Sequence, residues 1–162
     1  MTQNKIIETT LRIILLTLFS IKFVFVILSQ IDLVLHMYSV KYLINNPIFI
    51  LKLNLLIEPL IILLGIIGIF IRRRLGFILM LLLPSLILAY ELIPFLTKYH
   101  NFESAWHSIL LSLIFYFIIN SNYIRINYKS GTIKQTLYVN IKAIMMGIII
   151  SLFMYYFNGR LG

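Results

Sequence analysis

The side chains of this chain that could do chemistry are a few ionisable groups inside long apolar runs. Lys22 lies near the middle of the apolar stretch 11–35, and Glu58 lies at a similar depth in the stretch 48–71. Ionisable side chains inside a membrane are costly, so each of them indicates a partner or a function. Because a short connection makes the two stretches antiparallel neighbours, we predict an ion pair between Lys22 and Glu58. This pair would either fix the register of two helices or take part in ion or proton movement.

Two further acids lie within predicted membrane segments. Asp32 is near the far end of the first apolar stretch, and Glu91 lies between Pro84 and Pro94 in a third stretch. A proline inside a spanning helix removes a backbone hydrogen bond and tends to kink the helix. We therefore expect any working site to lie between the second and third helices, close to these acids and kinks and facing Lys22.

The histidines and one further acid are predicted to form a polar rim at the outer side of the membrane: His36, His100, Glu103 and His107. The spacing of the last three could place them on one face of a helix, as a metal site requires. Ser104, however, is typical of a helix N-cap, which makes this stretch a loop that ends at the cap. We predict an interfacial polar loop, with no metal and no other cofactor.

No set of residues typical of an enzyme occurs in the sequence. The chain has no cysteine, which excludes disulfides, thiolate metal sites and cysteine nucleophiles. The serines lie in apolar surroundings without a histidine–aspartate arrangement, and neither a glycine-rich phosphate loop nor an HExxH motif is present. We therefore predict no catalytic residues.

The elements that must hold these side chains are five apolar stretches in a single domain, 1–162. Roughly 20 helical residues span the ~30 Å hydrocarbon core of a bilayer. The predicted fold is an all-α, polytopic membrane helix bundle with transmembrane helices at about 11–35, 48–71, 75–95, 105–124 and 137–157. The fourth stretch is the weakest of the five. If it is re-entrant instead, four crossings remain.

The composition indicates a membrane protein. Hydrophobic residues make up 61% of the chain and charged residues 12%, whereas soluble domains carry about 25% charged residues. The formal net charge is +9, from 14 Lys and Arg against five acids. Because the basic residues lie beside apolar stretches, they indicate a cytoplasmic face in contact with anionic lipid rather than nucleic-acid binding.

Two basic connections set the predicted orientation. The second and third stretches are joined by three consecutive arginines, Arg72, Arg73 and Arg74, and a second basic connection covers 125–134. Basic loops stay on the cytoplasmic side, so the arginines act as a topology anchor. This rule gives five crossings with the N-terminus inside and the C-terminus outside. Tyr123 and Tyr128, beside the second connection, are predicted to lie at the membrane interface.

Small size, basic charge and short loops favour a non-enzymatic protein that binds another membrane-inserted protein. The layout is similar to that of the immunity proteins of pore-forming colicins, which are small, basic, helical proteins of the bacterial inner membrane. This resemblance is one of architecture over the whole chain, and it implies an immunity-type protein; an accessory subunit fits the same features. The alternative is a small oligomeric transporter or channel that uses Lys22, Glu58 and Glu91 as coupling charges. Both hypotheses place the protein in the inner membrane.

Overall fold

The computed structural model describes residues 3–37, 56–96, 102–128 and 132–157. Within these ranges the chain is all-α, as predicted, and contains no strand. The helices are α1 (Gln3–Met37), α2 (Ile57–Phe70), α3 (Arg74–Leu96), α4 (Phe102–Ile119), α5 (Asn122–Asn127) and α6 (Ile133–Phe157).

Helices α1 and α6 begin well before their predicted starts, and polar side chains form hydrogen bonds with the backbone in the early turns of both. Helix α1 begins at Gln3 instead of residue 11, and the hydroxyl of Thr9 donates a hydrogen bond of 2.8 Å to the carbonyl one turn back. Helix α6 begins before residue 137 because Thr132 caps it. The Thr132 hydroxyl accepts a hydrogen bond of 3.3 Å from the backbone N–H of Gln135.

The prediction of one continuous helix over 105–124 is wrong. Helix α4 ends at Ile119, and α5 begins after a turn. The Asn120 side chain donates a hydrogen bond of 3.0 Å to the carbonyl of Tyr116, and it accepts one of 2.9 Å from Asn140 of α6. Asparagine side chains that bond the backbone compete with helical hydrogen bonds. The polar run from Asn120 therefore ends the helix.

Helix α3 lies at the centre of the bundle. It packs against α2, α4 and α6, and every residue from 81 to 87 is buried. A helix that is apolar on all sides is typical of such a central position. Pro84 lies within this buried run, and the helix continues past it.

Helices α1, α2 and α3 alternate in direction. Arg12 of α1 contacts Ile69 near the end of α2, whereas Lys22 meets Glu58 near the start of α2, so the two helices are antiparallel. Helices α2 and α3 form a tight hairpin. A Cβ added at Gly68 would lie 2.7 Å from a backbone carbonyl oxygen of α3, so only glycine allows this approach.

Helices α3 and α6 run parallel and approach closely. A Cβ added at Gly147 would lie 2.7 Å from the carbonyl carbon of Ser85. Further along both helices, the Tyr155 hydroxyl donates a hydrogen bond of 2.7 Å to the carbonyl of Tyr90, and the two rings stack with centroids 4.8 Å apart. The α3–α6 contact therefore combines close backbone packing with one buried polar contact.

Three of the helices in the described ranges are long and apolar enough to cross a membrane. They are the segments Gln3–Asp32, Arg74–Ile93 and Ile133–Tyr156. Ile57–Phe70 and Trp106–Ile119 are apolar but shorter. The first part of the predicted second crossing, 48–55, lies outside the described residues. These helices are compatible with a membrane protein, and the count of five and the orientation stay predictions.

Candidate functional site

The predicted contact between Lys22 and Glu58 is present. The Nζ atom of Lys22 lies 3.0 Å from Oε1 of Glu58. Lys22 lies between Phe19 and Val26, two buried residues on the side of α1 that faces the bundle. Glu58 lies in the first turn of α2, where the helix dipole favours negative charge.

The ion pair lies at the edge of the α1–α2 contact rather than in the core. The side chains of Lys22 and Glu58 retain 25% and 31% of their exposure. Apolar side chains surround the pair on the outside of the bundle, since Ile21, Phe25 and Leu60 are all exposed. A pair placed in this way can meet a polar group of another molecule.

The other two predicted intramembrane acids lie on different helices. Asp32 lies exposed on α1, several turns beyond Lys22, and Glu91 is half-buried on α3. A working site between the second and third helices stays a prediction. The contact that the structure shows lies between α1 and α2.

The outer rim is only partly described. His107 is exposed on α4, with its ring 4.1 Å from that of Trp106. His36 belongs to α1 and Glu103 belongs to α4, whereas His100 lies outside the described residues. No group of three possible metal ligands occurs in the described part of the chain. The predicted capping role of Ser104 is wrong, because α4 already includes Phe102.

A second polar cluster lies at the opposite end of the α1–α2 contact. The carbonyl oxygen of Ile69, in the last turn of α2, accepts hydrogen bonds from the Arg12 guanidinium and from the Tyr128 hydroxyl, each 2.5 Å long. Glu8 lies one turn before Arg12 on α1, 3.9 Å from its guanidinium. The last carbonyls of a helix have no partner within the helix, so Arg12 and Tyr128 act as a tertiary C-cap.

Tyr128 corrects the sequence-based prediction. It is 1% exposed, so its side chain packs inside the bundle and does not face lipid as an interface anchor would, whereas Tyr123 is 39% exposed. Burial raises the pKa of the Tyr128 hydroxyl, and the neighbouring Arg12 and Arg72 oppose this rise. The sequence held one signal for Arg12, its spacing of four from Glu8, and none that linked Tyr128 to the end of α2.

The three arginines predicted to act as a topology anchor lie between α2 and α3 and at the start of α3. Arg72 and Arg73 are exposed in the connection, and Arg74 begins α3. The backbone N–H of Arg73 donates a hydrogen bond of 2.8 Å to the carbonyl of Ile71, which tightens the turn. This end of the hairpin faces the same side of the bundle as Arg12.

The α3–α6 contact also holds residues that sequence reasoning missed. Ala143, Gly147 and Ser151 recur at every fourth position of α6 and are all buried. Spacing of this kind marks close helix packing in membranes, and it was readable in the sequence. The hydroxyl of Ser151 and that of Ser85 are buried and have no hydrogen-bond partner in the described structure.

Comparisons with protein-family models, with curated proteins and with solved structures find no match to this chain.

Proposed function

We propose that this protein is a multi-pass inner-membrane protein that acts by binding another membrane-inserted protein, without catalysis. We further propose five crossings with the N-terminus in the cytoplasm. The alternating directions of α1, α2 and α3, and the parallel course of α3 and α6, support an odd number of crossings up to α6. The basic residues near the start of α1 and between α2 and α3 support the orientation.

The observation that carries this proposal is the exposure of the Lys22–Glu58 pair. In the proposed topology, Lys22 lies near the middle of the first crossing, so the pair meets hydrocarbon unless another molecule covers it. Ionised groups at that depth cost several kcal/mol, and lipid tails offer no hydrogen bonds. A polar side chain from a partner helix would supply them.

The surroundings of the pair define the partner's chemistry. Exposed apolar residues of α1 recur at intervals of three, four and seven on the side away from the bundle: Ile14, Ile21, Val24, Leu28 and Ile31. This outward face of α1 would accept an apolar helix by interdigitation of side chains. A partner helix with one polar group level with Lys22 matches both features. An accessory subunit and an immunity-type protein would both use such a face.

Single introduced cysteines test the proposal directly, because the chain has no cysteine of its own. Phe25 is 67% exposed beside the ion pair, and Ile149 is 63% exposed on α6. We expect Phe25→Cys, labelled with a photoactivatable cross-linker in native membranes, to give a discrete adduct with a membrane-inserted protein. The matched variant Ile149→Cys should not give it.

A second arm links the adduct to the ion pair. Adding Lys22→Met to Phe25→Cys should abolish the adduct while the helical circular dichroism of the purified protein is retained. For an immunity-type role, expression should also protect cells from a pore-forming protein encoded beside this one. Equal adducts from Phe25→Cys and Ile149→Cys would contradict a specific contact on α1.

Transport is the second function that the exposed ion pair favours. Coupling charges must be reachable, and the pair is partly exposed. Ion flux into liposomes that contain the purified protein would then fall in Glu58→Gln. Flux that is absent, or unchanged by this substitution, would exclude a coupling role for Glu58.

A further inference from the structure

One end of the bundle carries a strong excess of positive charge. We call it the basic end; it comprises the first turns of α1, the α2–α3 connection, α5 and the start of α6. Its cationic residues in the described ranges are Lys5, Arg12, Arg72, Arg73, Arg74, Arg125 and Lys134, and Glu8 is the only acid described there. Such a concentration of one sign of charge attracts anions.

Arg12 is one of the partly buried cations of the basic end. Its guanidinium lies between α1 and the end of α2, where it donates a hydrogen bond to Ile69. The side chain keeps 18% of its exposure, so one edge remains accessible. Its Nε–H is buried and has no acceptor in the described structure. A buried charged donor without an acceptor is costly.

Arg125 repeats this arrangement on α5, a helix that packs against α1. Its Nη2 atom donates a hydrogen bond of 2.6 Å to Asn122, and its Nε–H is buried without an acceptor among the described residues. Arg72, exposed in the α2–α3 connection, follows the helix end that Arg12 caps. Arg12 and Arg72 therefore lie at the end of α2, and the partly buried Arg125 lies on the neighbouring helix α5 at the same end of the bundle.

We propose that the basic end binds the phosphate group of an anionic phospholipid through Arg12, Arg72 and Arg125. Phosphate oxygens accept paired hydrogen bonds from guanidinium groups, which Arg forms better than Lys. Basic pockets between helices on the cytoplasmic side of a membrane bind lipid headgroups in this way. This site requires a membrane environment and does not depend on a partner protein.

The surface next to Arg12 favours a lipid over free phosphate. Leu16, one turn after Arg12 on the same side of α1, is partly exposed, and Ile13 beside Arg12 is 58% exposed. An acyl chain attached to the bound phosphate would lie along these apolar side chains. Inorganic phosphate offers the same oxygens to the arginines but buries no apolar surface, so a competition experiment distinguishes the two sources.

The test is native mass spectrometry of the full chain in a mild detergent, with phosphatidylglycerol or phosphatidylcholine added. We expect one phosphatidylglycerol to bind preferentially. Loss of a charged hydrogen bond in Arg12→Lys, or of the charge in Arg72→Gln, should weaken binding by about tenfold. Lys5→Gln removes the same charge as Arg72→Gln from an exposed position on α1 and should leave binding within about twofold.

Three results would overturn the proposal. Equal retention of the two lipids would show that headgroup charge is not recognised. Equal weakening by Lys5→Gln and Arg72→Gln would show that only net charge matters. Displacement of the lipid by inorganic phosphate at an equal concentration would assign the arginines to a soluble anion. Because Arg12 also caps α2, circular dichroism must show that the Arg12→Lys variant is folded. If that variant is unfolded, the loss of phosphatidylglycerol binding in Arg72→Gln tests the proposal.

Discussion

Removing one charge of the Lys22–Glu58 pair should destabilise the protein more than removing both. With Nζ and Oε1 3.0 Å apart, Coulomb attraction at an effective dielectric constant of about 20 is about 5.5 kcal/mol. Desolvation offsets most of it, so replacing a whole buried pair by apolar groups is often near neutral, whereas removing one partner costs about 3–5 kcal/mol. The side chains are 25% and 31% exposed, which lowers our expectation to about 2–3 kcal/mol for Lys22→Met or Glu58→Met. The double variant should lose less than about 1 kcal/mol.

The unmodified protein, the two single variants and the double variant are unfolded in mixed micelles with increasing SDS. Helical circular dichroism follows the unfolding and gives the loss of stability of each variant. The double-mutant cycle should give a coupling energy of at least about 3 kcal/mol. Ile21→Met and Leu60→Met, at exposed positions of the same two helices, form the control cycle, and their effects should add. If the losses at Lys22 and Glu58 also add to within about 0.5 kcal/mol, the electrostatic account of this contact is refuted.

Three further predictions concern the helix contacts. Gly147→Ala should destabilise the protein by about 1–3 kcal/mol, because its Cβ would meet the Ser85 backbone, which cannot move aside cheaply; the same SDS titration measures it. Ser151→Ala, on the same face of α6, should be neutral or stabilising, since it removes a buried hydroxyl without a partner. Tyr128→Phe should cost about 1 kcal/mol through the lost bond to Ile69. Burial raises the Tyr128 pKa above its usual value, so its contribution to stability is full below pH about 10 and falls as pH rises further; a stability–pH profile that is unchanged in Tyr128→Phe would contradict this.

The all-α fold and the Lys22–Glu58 contact followed from the sequence because each depends on local or nearest-neighbour physics. Apolar runs of sufficient length predict helices, and a short connection makes consecutive helices neighbours. Two opposite charges at similar depths on such neighbouring helices then have few other groups with which to form an ion pair. The distance of 3.0 Å agrees with that reasoning.

The contacts that the sequence did not reveal are those between distant segments. Tyr128 reaches Ile69 across 59 positions of the chain, and Tyr155 reaches Tyr90 across 65. Hydrophobic periodicity does not predict which backbone carbonyl accepts a hydrogen bond from a buried hydroxyl.

The helix break after Ile119 is a local feature, because Asn120 and Ser121 are visible in the sequence. The apolar residues on either side outweighed them in the prediction.

The α1–α2 contact bears on the choice between binding and transport. It is fixed at three levels: Arg12 bonds the end of α2, Phe19 packs over Gly65 so closely that a Cβ there would lie 2.1 Å from its ring, and Lys22 meets Glu58. Gated transport through these charges would require the α1–α2 contact to open. Opening would break the ion pair in surroundings of low dielectric constant, and it would separate Phe19 from Gly65. A fixed contact instead holds the outward face of α1 in one position. Preorganisation of this kind reduces the entropic cost of association, so it favours a surface built to bind a partner.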